Sequence, residues 1–183
     1  ASSINYVDIS KCKATGTPIV ANDSIGDDFS KENNWEFPAP IKPGDPLTWT
    51  GASNTSWVNA DNWVDQYGGK RLPEKTDVIT IPANCLNYPK LIAEQKVNTL
   101  VVEEGALINL SGVNITVTNN LKVAGDITRS TAEKLIVEGE GDAVLDFGDR
   151  EYGDVVITKS GGTITLPNGL KTKRLKITSS AET

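Results

Sequence analysis

The side chains best suited to act on a ligand fall into two groups. One is four tryptophans, Trp35, Trp49, Trp57 and Trp63; the other is a crowd of carboxylates, Asp142, Asp146, Asp149, Glu151 and Asp154. An indole face suits the apolar face of a pyranose, so exposed tryptophans would make a sugar-stacking platform. The competing reading is packing, since one buried indole removes roughly 150–250 Å² from water. Packing is favoured for the set. Trp57 and Trp63 are expected inside a structural cap, while Trp35, the least constrained, and Trp49 are the candidate carbohydrate-stacking residues. Paired carboxylates hydrolyse a glycosidic bond when they stand roughly 5–10 Å apart across a groove. Turns between strands are ordinarily polar and solvated, and that reading is favoured for these five. No catalytic residue is assigned, and the chain is not read as an enzyme.

Other chemistry has little to build on. The 183 residues contain no histidine, which removes the commonest general base and metal ligand together. Gly139-Glu140-Gly141-Asp142 resembles part of a calcium-binding nonapeptide but lacks its double glycine, and Ser160-Gly161-Gly162 has no aspartate. In Asn59-Ala60-Asp61-Asn62-Trp63-Val64-Asp65 a tryptophan occupies a ligand position. No metal or cofactor is expected. Cys12 and Cys85 make no disulfide framework, and two buried thiols are the favoured reading.

Eighteen basic against 24 acidic residues give a net charge of −6, which argues against a nucleic-acid partner. Lys171, Lys173, Arg174 and Lys176 form one basic group, but Arg174 and Lys176 alternate with Leu175 and Ile177 and belong on the solvent face of a strand. No run of 18 apolar residues marks a membrane helix, so no direct membrane insertion is expected.

The elements that position these residues repeat. Leu135-Ile136-Val137, Val155-Val156-Ile157 and Leu175-Lys176-Ile177 follow one another at 20-residue steps, each preceded by a charged residue, Lys134, Asp154 and Arg174. Ile79/Ile81, Leu100/Val102 and Leu121/Val123 recur at 21-residue steps. Val144 and Ile164 suggest a second element in the 20-residue register. From Leu121 to Leu135 the step is only 14, so either a rung is short between Gly125 and Ala132 or two faces of the coil have been joined. Alternation within each triplet predicts strands with the outer two side chains inward, which leaves Ile136 and Val156 as a small outward aliphatic ridge or a contact with another segment. A fixed period of this size predicts stacked coils that bury one another's apolar edges. The fold class is all-β, a parallel β-helix or β-solenoid, expected to be right-handed. Short strands every 8–12 residues also fit a β-sandwich, the alternative.

Residues 1–37 read as terminal coils of a preceding β-rich region, with Ile4, Tyr6, Val7 and Ile9 facing inward and Cys12–Ala21 as strand, turn, strand. Four prolines in residues 38–46 predict an extended linker outside any sheet. Residues 47–183 read as the solenoid domain, with a Trp-rich cap over 47–76 and stacked coils over 77–183. The absence of methionine and the uncapped strand patterns at both ends suggest a segment of something longer.

Trp49-x-Gly51, Ser56-Trp57, Asn62-Trp63, Pro73 and Asp77-Val78-Ile79-Thr80-Ile81-Pro82 resemble an order of residues seen in large secreted and cell-surface proteins of Bacteroidetes bacteria. Val97-Asn98-Thr99-Leu100-Val101-Val102, Glu104-Gly105-Ala106, Ile115-Thr116-Val117 and Leu121-Lys122-Val123 continue the likeness. The segment from Cys12 to Phe37 resembles the closing coils of another β-helix common in those proteins. The resemblance implies an adhesin-like, multi-domain protein exported by the type IX route to the cell surface or medium. Some such proteins carry polysaccharide-degrading enzymes, and β-helix polysaccharide lyases use carboxylates with lysine or arginine, which brings Arg150 beside the acidic crowd into view. Asp23-Ser24-Ile25 resembles the O-glycosylation motif of these bacteria, making Ser24 a possible modification site. The expected function is a non-enzymatic structural or adhesive module, a rigid spacer or stalk. The alternative is a carbohydrate-binding module or a fragment of a β-helix lyase or hydrolase. Expected partners are glycans or surface components and neighbouring domains of the same longer chain.

Overall fold

The computed structural model describes residues 3–5, 8–16, 19–22, 25–26, 30, 34–36, 44–128 and 133–179. The chain divides into two compact units, Ala1–Lys42 with Gln66–Gly69, and Pro43–Asp65 with Lys70–Thr183.

The first unit pairs its strands in parallel. β1 (Ser3–Asn5), β3 (Ile19–Asn22) and β5 (Trp35–Glu36) form one sheet, and β2 (Asp8–Ile9) pairs with β4 (Ile25–Gly26). Ser3 lies beside Val20, Asp8 beside Ile25 and Ile19 beside Trp35, so these coils are shorter than those of the second unit. Ile9, Ala14 and Ala21 are buried between them. Where strand, turn, strand was expected over Cys12–Ala21, strand begins only at Ile19; Ser30 Oγ and Asn34 instead tie the preceding segment down through Cys12 N and the carbonyls of Ala14 and Gly16. Tyr6, Val7, Phe37 and residues 38–43 lie outside the described residues.

The second unit is a β-solenoid. One sheet, sheet I, stacks β6 (Pro46–Trp49), β8 (Val78–Ile81), β10 (Thr99–Val102), β13 (Leu121–Val123), β16 (Ala143–Asp146) and β18 (Ile164–Thr165) in parallel. Sheet II is the pair β11 (Leu107–Asn109) and β14 (Asp126–Thr128). Sheet III stacks β9 (Gln95–Val97), β12 (Ile115–Val117), β15 (Lys134–Gly139), β17 (Glu151–Lys159) and β19 (Lys171–Ser179). Where all three sheets are present, a coil visits them in the order I, II, III, so strands that follow one another in sequence lie on different faces.

That order explains the two periods. Ile79, Leu100 and Leu121 are neighbours in sheet I, whereas Ile115, Leu135, Val155 and Leu175 are neighbours in sheet III. The 14-residue step from Leu121 to Leu135 crosses from one face to the other within a single coil, and no rung is missing. In sheet I the next partner of Leu121 is Leu145. The extra residues sit in the longer turn after Val137, which leaves the 20-residue register of sheet III unchanged. The Val144–Ile164 equivalence is off by one: Ala143 pairs with Ile164 and Val144 with Thr165, leaving Val144 on the outer face, 45% exposed.

Inward positions form aliphatic columns. Leu47, Ile79, Leu100, Leu121 and Leu145 line sheet I; Val97, Val117, Val137 and Ile157 line sheet III, all buried. Each such side chain contributes about 1.5–3 kcal/mol relative to exposure. In the fourth coil, where no sheet II strand forms, Phe147 and Tyr152 fill the interior with ring centroids 5.2 Å apart.

Pro46 corrects the expected linker boundary. It begins β6 and pairs with Val78. The first residue of a strand is one place where a missing N–H is tolerated.

The first complete coil starts at an ion pair whose carboxylate is buried and whose guanidinium is half-buried. Asp77 is inaccessible to solvent and accepts from Arg71 through both guanidinium Nη atoms, from Gly44 N at 3.0 Å and from Glu74 N at 2.7 Å. Burial alone would lower the Arg71 pKa, but the hydrogen bonds and charge of Asp77 reverse this and hold it above its ordinary value. The Asp77 carbonyl meanwhile accepts from Asn98 N and Thr99 N of the next coil. Asp77→Ala removes the anion and leaves the half-buried Arg71 cation and two backbone donors without their acceptor. It is expected to destabilise the solenoid by about 3–5 kcal/mol in denaturant unfolding, while a loss below 1 kcal/mol would contradict this role.

Candidate functional site

The tryptophans converge where the solenoid begins. Trp49 ends β6, Trp63 opens the antiparallel strand β7 (Trp63–Asp65), and Trp57 lies between them beside the isolated parallel bridge of Ser56 to Lys90. All three indoles are fully buried. Trp63 stands edge-on to both others, with centroids 4.9 Å from Trp49 and 4.7 Å from Trp57. Trp49 Nε1 donates to Asn87 O at 2.7 Å and Trp63 Nε1 to Trp57 O at 2.8 Å, so these indole N–H groups are satisfied inside the protein. Trp49 is therefore no stacking platform, contrary to expectation; its ring is packed under Trp63. Trp57 and Trp63 lie in the interior of the same cluster.

The local sequence folds this way because of two residues. Asn62 is buried and uses its whole amide: its Oδ1 accepts from Ser53 N and Asn54 N, and its Nδ2 donates to Asn54 Oδ1 and Ser56 O. Gly51 has φ +60°, and a Cβ there would lie 2.1 Å from Asn87 O, the carbonyl that receives Trp49. The Trp49-x-Gly51 spacing is thus a backbone crossing. Trp35 sits in the first unit, half-buried. Ser24 lies outside the described residues.

The five carboxylates are spread along one coil, and four of them reach to the next. Asp142 Oδ1 accepts from Thr163 N at 2.8 Å, Asp146 Oδ1 from Asn168 Nδ2 at 2.9 Å, and Asp154 Oδ1 from Arg174 Nε at 2.8 Å. Asp149 lies 3.7 Å from Lys171 Nζ. Glu151 is exposed and lies in register with Lys171. Arg150 is engaged by Asp126. The Asp146 carboxyl is held below its usual range, chiefly by the Gly148 N–H and then by Asn168, whereas a general acid needs its pKa raised. The glycine-rich turns resembling calcium loops stack directly: a Cβ on Gly162 would stand 1.9 Å from Gly141 O. Among the described residues no group of three or more His, Cys, Asp or Glu side chains is placed to hold a metal.

Both cysteines are thiols, but the expected burial is wrong for Cys12, which is exposed; its short segment lies at the surface of the first unit. Cys85 is half-buried, and desolvation raises its pKa.

Two outer-face features remain. A shallow groove of about 400 Å³ crosses the last strands of sheet III, bordered by Lys134, Asp154, Val156, Arg174 and Lys176. The charged residue before each triplet marks it in the sequence, with Lys134, Asp154 and Arg174 forming one column of alternating sign. Ile136 and Val156, the expected outward ridge, are half-buried beside this column. A second groove of about 430 Å³ over sheet I is lined by Asn119, Asn120, Asp142, Thr163 and Thr165 around Ala143 and Val144. The sequence reading named Asp77 and Asn62 only as members of longer motifs and missed their structural roles, and it did not single out Arg71. An aspartate before a strand and an asparagine in a turn are ordinary residues there, and only tertiary contacts distinguish them.

Trp63→Ala opens a cavity at the centre of two ring contacts and is expected to cost about 3–5 kcal/mol in denaturant unfolding. Trp35→Ala is expected to cost less than half as much in the same measurement. Equal costs would contradict a cap centred on Trp63. Compared with protein-family models, curated proteins and solved structures, the chain finds no match.

Proposed function

We propose that the chain is a non-enzymatic structural module, a rigid β-solenoid spacer within a large extracellular bacterial surface protein. The observation that carries this reading is the five-strand parallel ladder of sheet III, held in a constant 20-residue register from Gln95 through Ile115, Leu135 and Val155 to Leu175. In such a stack each inner strand is clamped between two others, so bending requires many backbone hydrogen bonds to yield together. The outer polar groups serve the same end, since Asp142, Asp146 and Asp154 are each bound to the following coil. The extracellular bacterial setting rests on the resemblance of the Trp49–Pro82 and Val97–Val123 segments to Bacteroidetes surface proteins.

A glycan-binding reading keeps one indole, Trp35, because the other three have no open face. Two measurements separate the readings. Pulled by its ends in a force microscope, the solenoid is expected to lengthen in steps of about 60–70 Å, one coil of extended chain each. On a glycan array spanning neutral, uronic and sulfated polysaccharides, no saturable binding is expected. Saturable glycan binding that disappears in Trp35→Ala would overturn the spacer reading in favour of a carbohydrate-binding module.

A further inference from the structure

We propose that Asn168 is a site of spontaneous covalent modification, where cyclisation onto Gly169 converts an amide that ties the fifth coil to the fourth into an aspartate or isoaspartate that repels it. Asparagine is a thermolabile residue, and the following residue decides how readily it reacts. The attacking group is the next main-chain nitrogen, and a side chain on that residue hinders its approach. Asn168 is the only asparagine of the chain followed by glycine. Gly169 has φ +71°, and apart from its chain neighbours no atom lies within 4 Å of where a Cβ would stand. Glycine thus leaves the close approach of its backbone open.

The hydrogen bonds of the coil set this position apart as well. After Asn98 the attacking nitrogen would be Thr99 N, which donates to Asp77 O at 3.2 Å; after Asn109 it would be Leu110 N, which donates to Thr128 O at 3.0 Å. Both bonds run to a neighbouring coil, so freeing either nitrogen disturbs the stack. Gly169 N donates only within its own turn, to Leu166 O at 3.2 Å, and that turn can open without moving a ladder. In the reaction Gly169 N bonds to Asn168 Cγ, the Cγ–Nδ2 bond breaks, and Nδ2 leaves as ammonia with the proton from Gly169 N. Water then opens the succinimide. Attack at Cγ gives aspartate; attack at the main-chain carbonyl gives isoaspartate, which adds a methylene to the backbone of the turn.

The consequence falls on Asp146. Asn168 Nδ2 donates to Asp146 Oδ1 at 2.9 Å, and the same oxygen accepts from Gly148 N at 3.0 Å. These two bonds, Gly148 first, hold the Asp146 carboxyl below its usual range, with Lys122 as the nearby cation. Either product replaces an amide donor by a second carboxylate, and like charges sharing a site raise a carboxyl pKa.

The test incubates the full chain in mildly alkaline buffer and follows it by peptide mass spectrometry with isoaspartyl methyltransferase labelling. Aspartate and isoaspartate are expected to accumulate at Asn168 at least about tenfold faster than at Asn98 or Asn109. Asn168→Gln, whose ring closure would be six-membered, should stay unmodified at that position. By carbon-detected NMR titration, Asn168→Asp should raise the Asp146 pKa. Three results would overturn the proposal: an intact Asn168 after an incubation that fully converts the free peptide Leu-Pro-Asn-Gly-Leu, equal rates at Asn98 or Asn109, or an Asp146 titration that Asn168→Asp leaves unchanged.

Discussion

The structure of the second unit depends on register. In a stack of parallel strands each backbone N–H and C=O must meet a partner one coil away, and a one-residue slip turns every inward side chain outward. Sheet III satisfies this with five strands advancing 20 residues at a time. The rest of each coil adapts around that fixed column. Turns lengthen where residues must be accommodated, as after Val137, and sheet II disappears in the fourth coil, where Phe147 and Tyr152 take up the interior. Variation in coil length is thus confined to places where no ladder has to be kept.

Polar side chains hold the turns that the ladders leave unsatisfied. Asn114 Oδ1 accepts from Lys134 N, Asn120 Oδ1 from Val144 N, and Asp142 Oδ1 from Thr163 N, each one coil further on. Glu133 does the same in the opposite direction, accepting from Gly112 N. At the start of the stack the demand is greater, because an end exposes both an apolar interior and a strand edge. There the antiparallel β7 closes sheet I, three tryptophans fill the interior, and Asp77 gathers donors from Gly44, Arg71 and Glu74. The same residue types that invited a sugar-binding or catalytic reading therefore have structural work to do. A carboxylate bound to the next coil is a tie, and an indole packed edge-on against another is core.

Most of the solenoid is written in the sequence as spacing, since aliphatic triplets at constant separation are the direct record of a register. What spacing does not record is which face of the coil a strand occupies. Leu121 and Leu135 look like successive members of one series because both head an alternating triplet, yet a turn through sheet II separates them. The Val144–Ile164 pairing misleads similarly: a 20-residue step holds in sheet III, but the adjoining turn adds one residue before sheet I. Trp49 is misjudged because its burial depends on the Asn87 backbone, 38 residues away. Cys12 is misjudged because a short coil has little interior to offer. Pro46 shows that a proline-rich run ends where a strand can first do without a donor. The candidate surfaces are legible only in part: the basic group of β19 and the charge before each triplet are visible as residues, but their alternation as one column needs the parallel pairing.

The proposed mechanical role rests on that column, and one distance series tests it. With Cys12 and Cys85 replaced by serine, nitroxide labels placed through Lys96→Cys and Lys176→Cys occupy outward positions four rungs apart, joined in register through Thr116, Ile136 and Val156. Pulsed electron paramagnetic resonance should then report a separation of about 19 Å, shortening by about 4.8 Å when the second label is moved to Val156. A separation that fails to shorten by one rung, or lengthens, would contradict the stacked parallel coil.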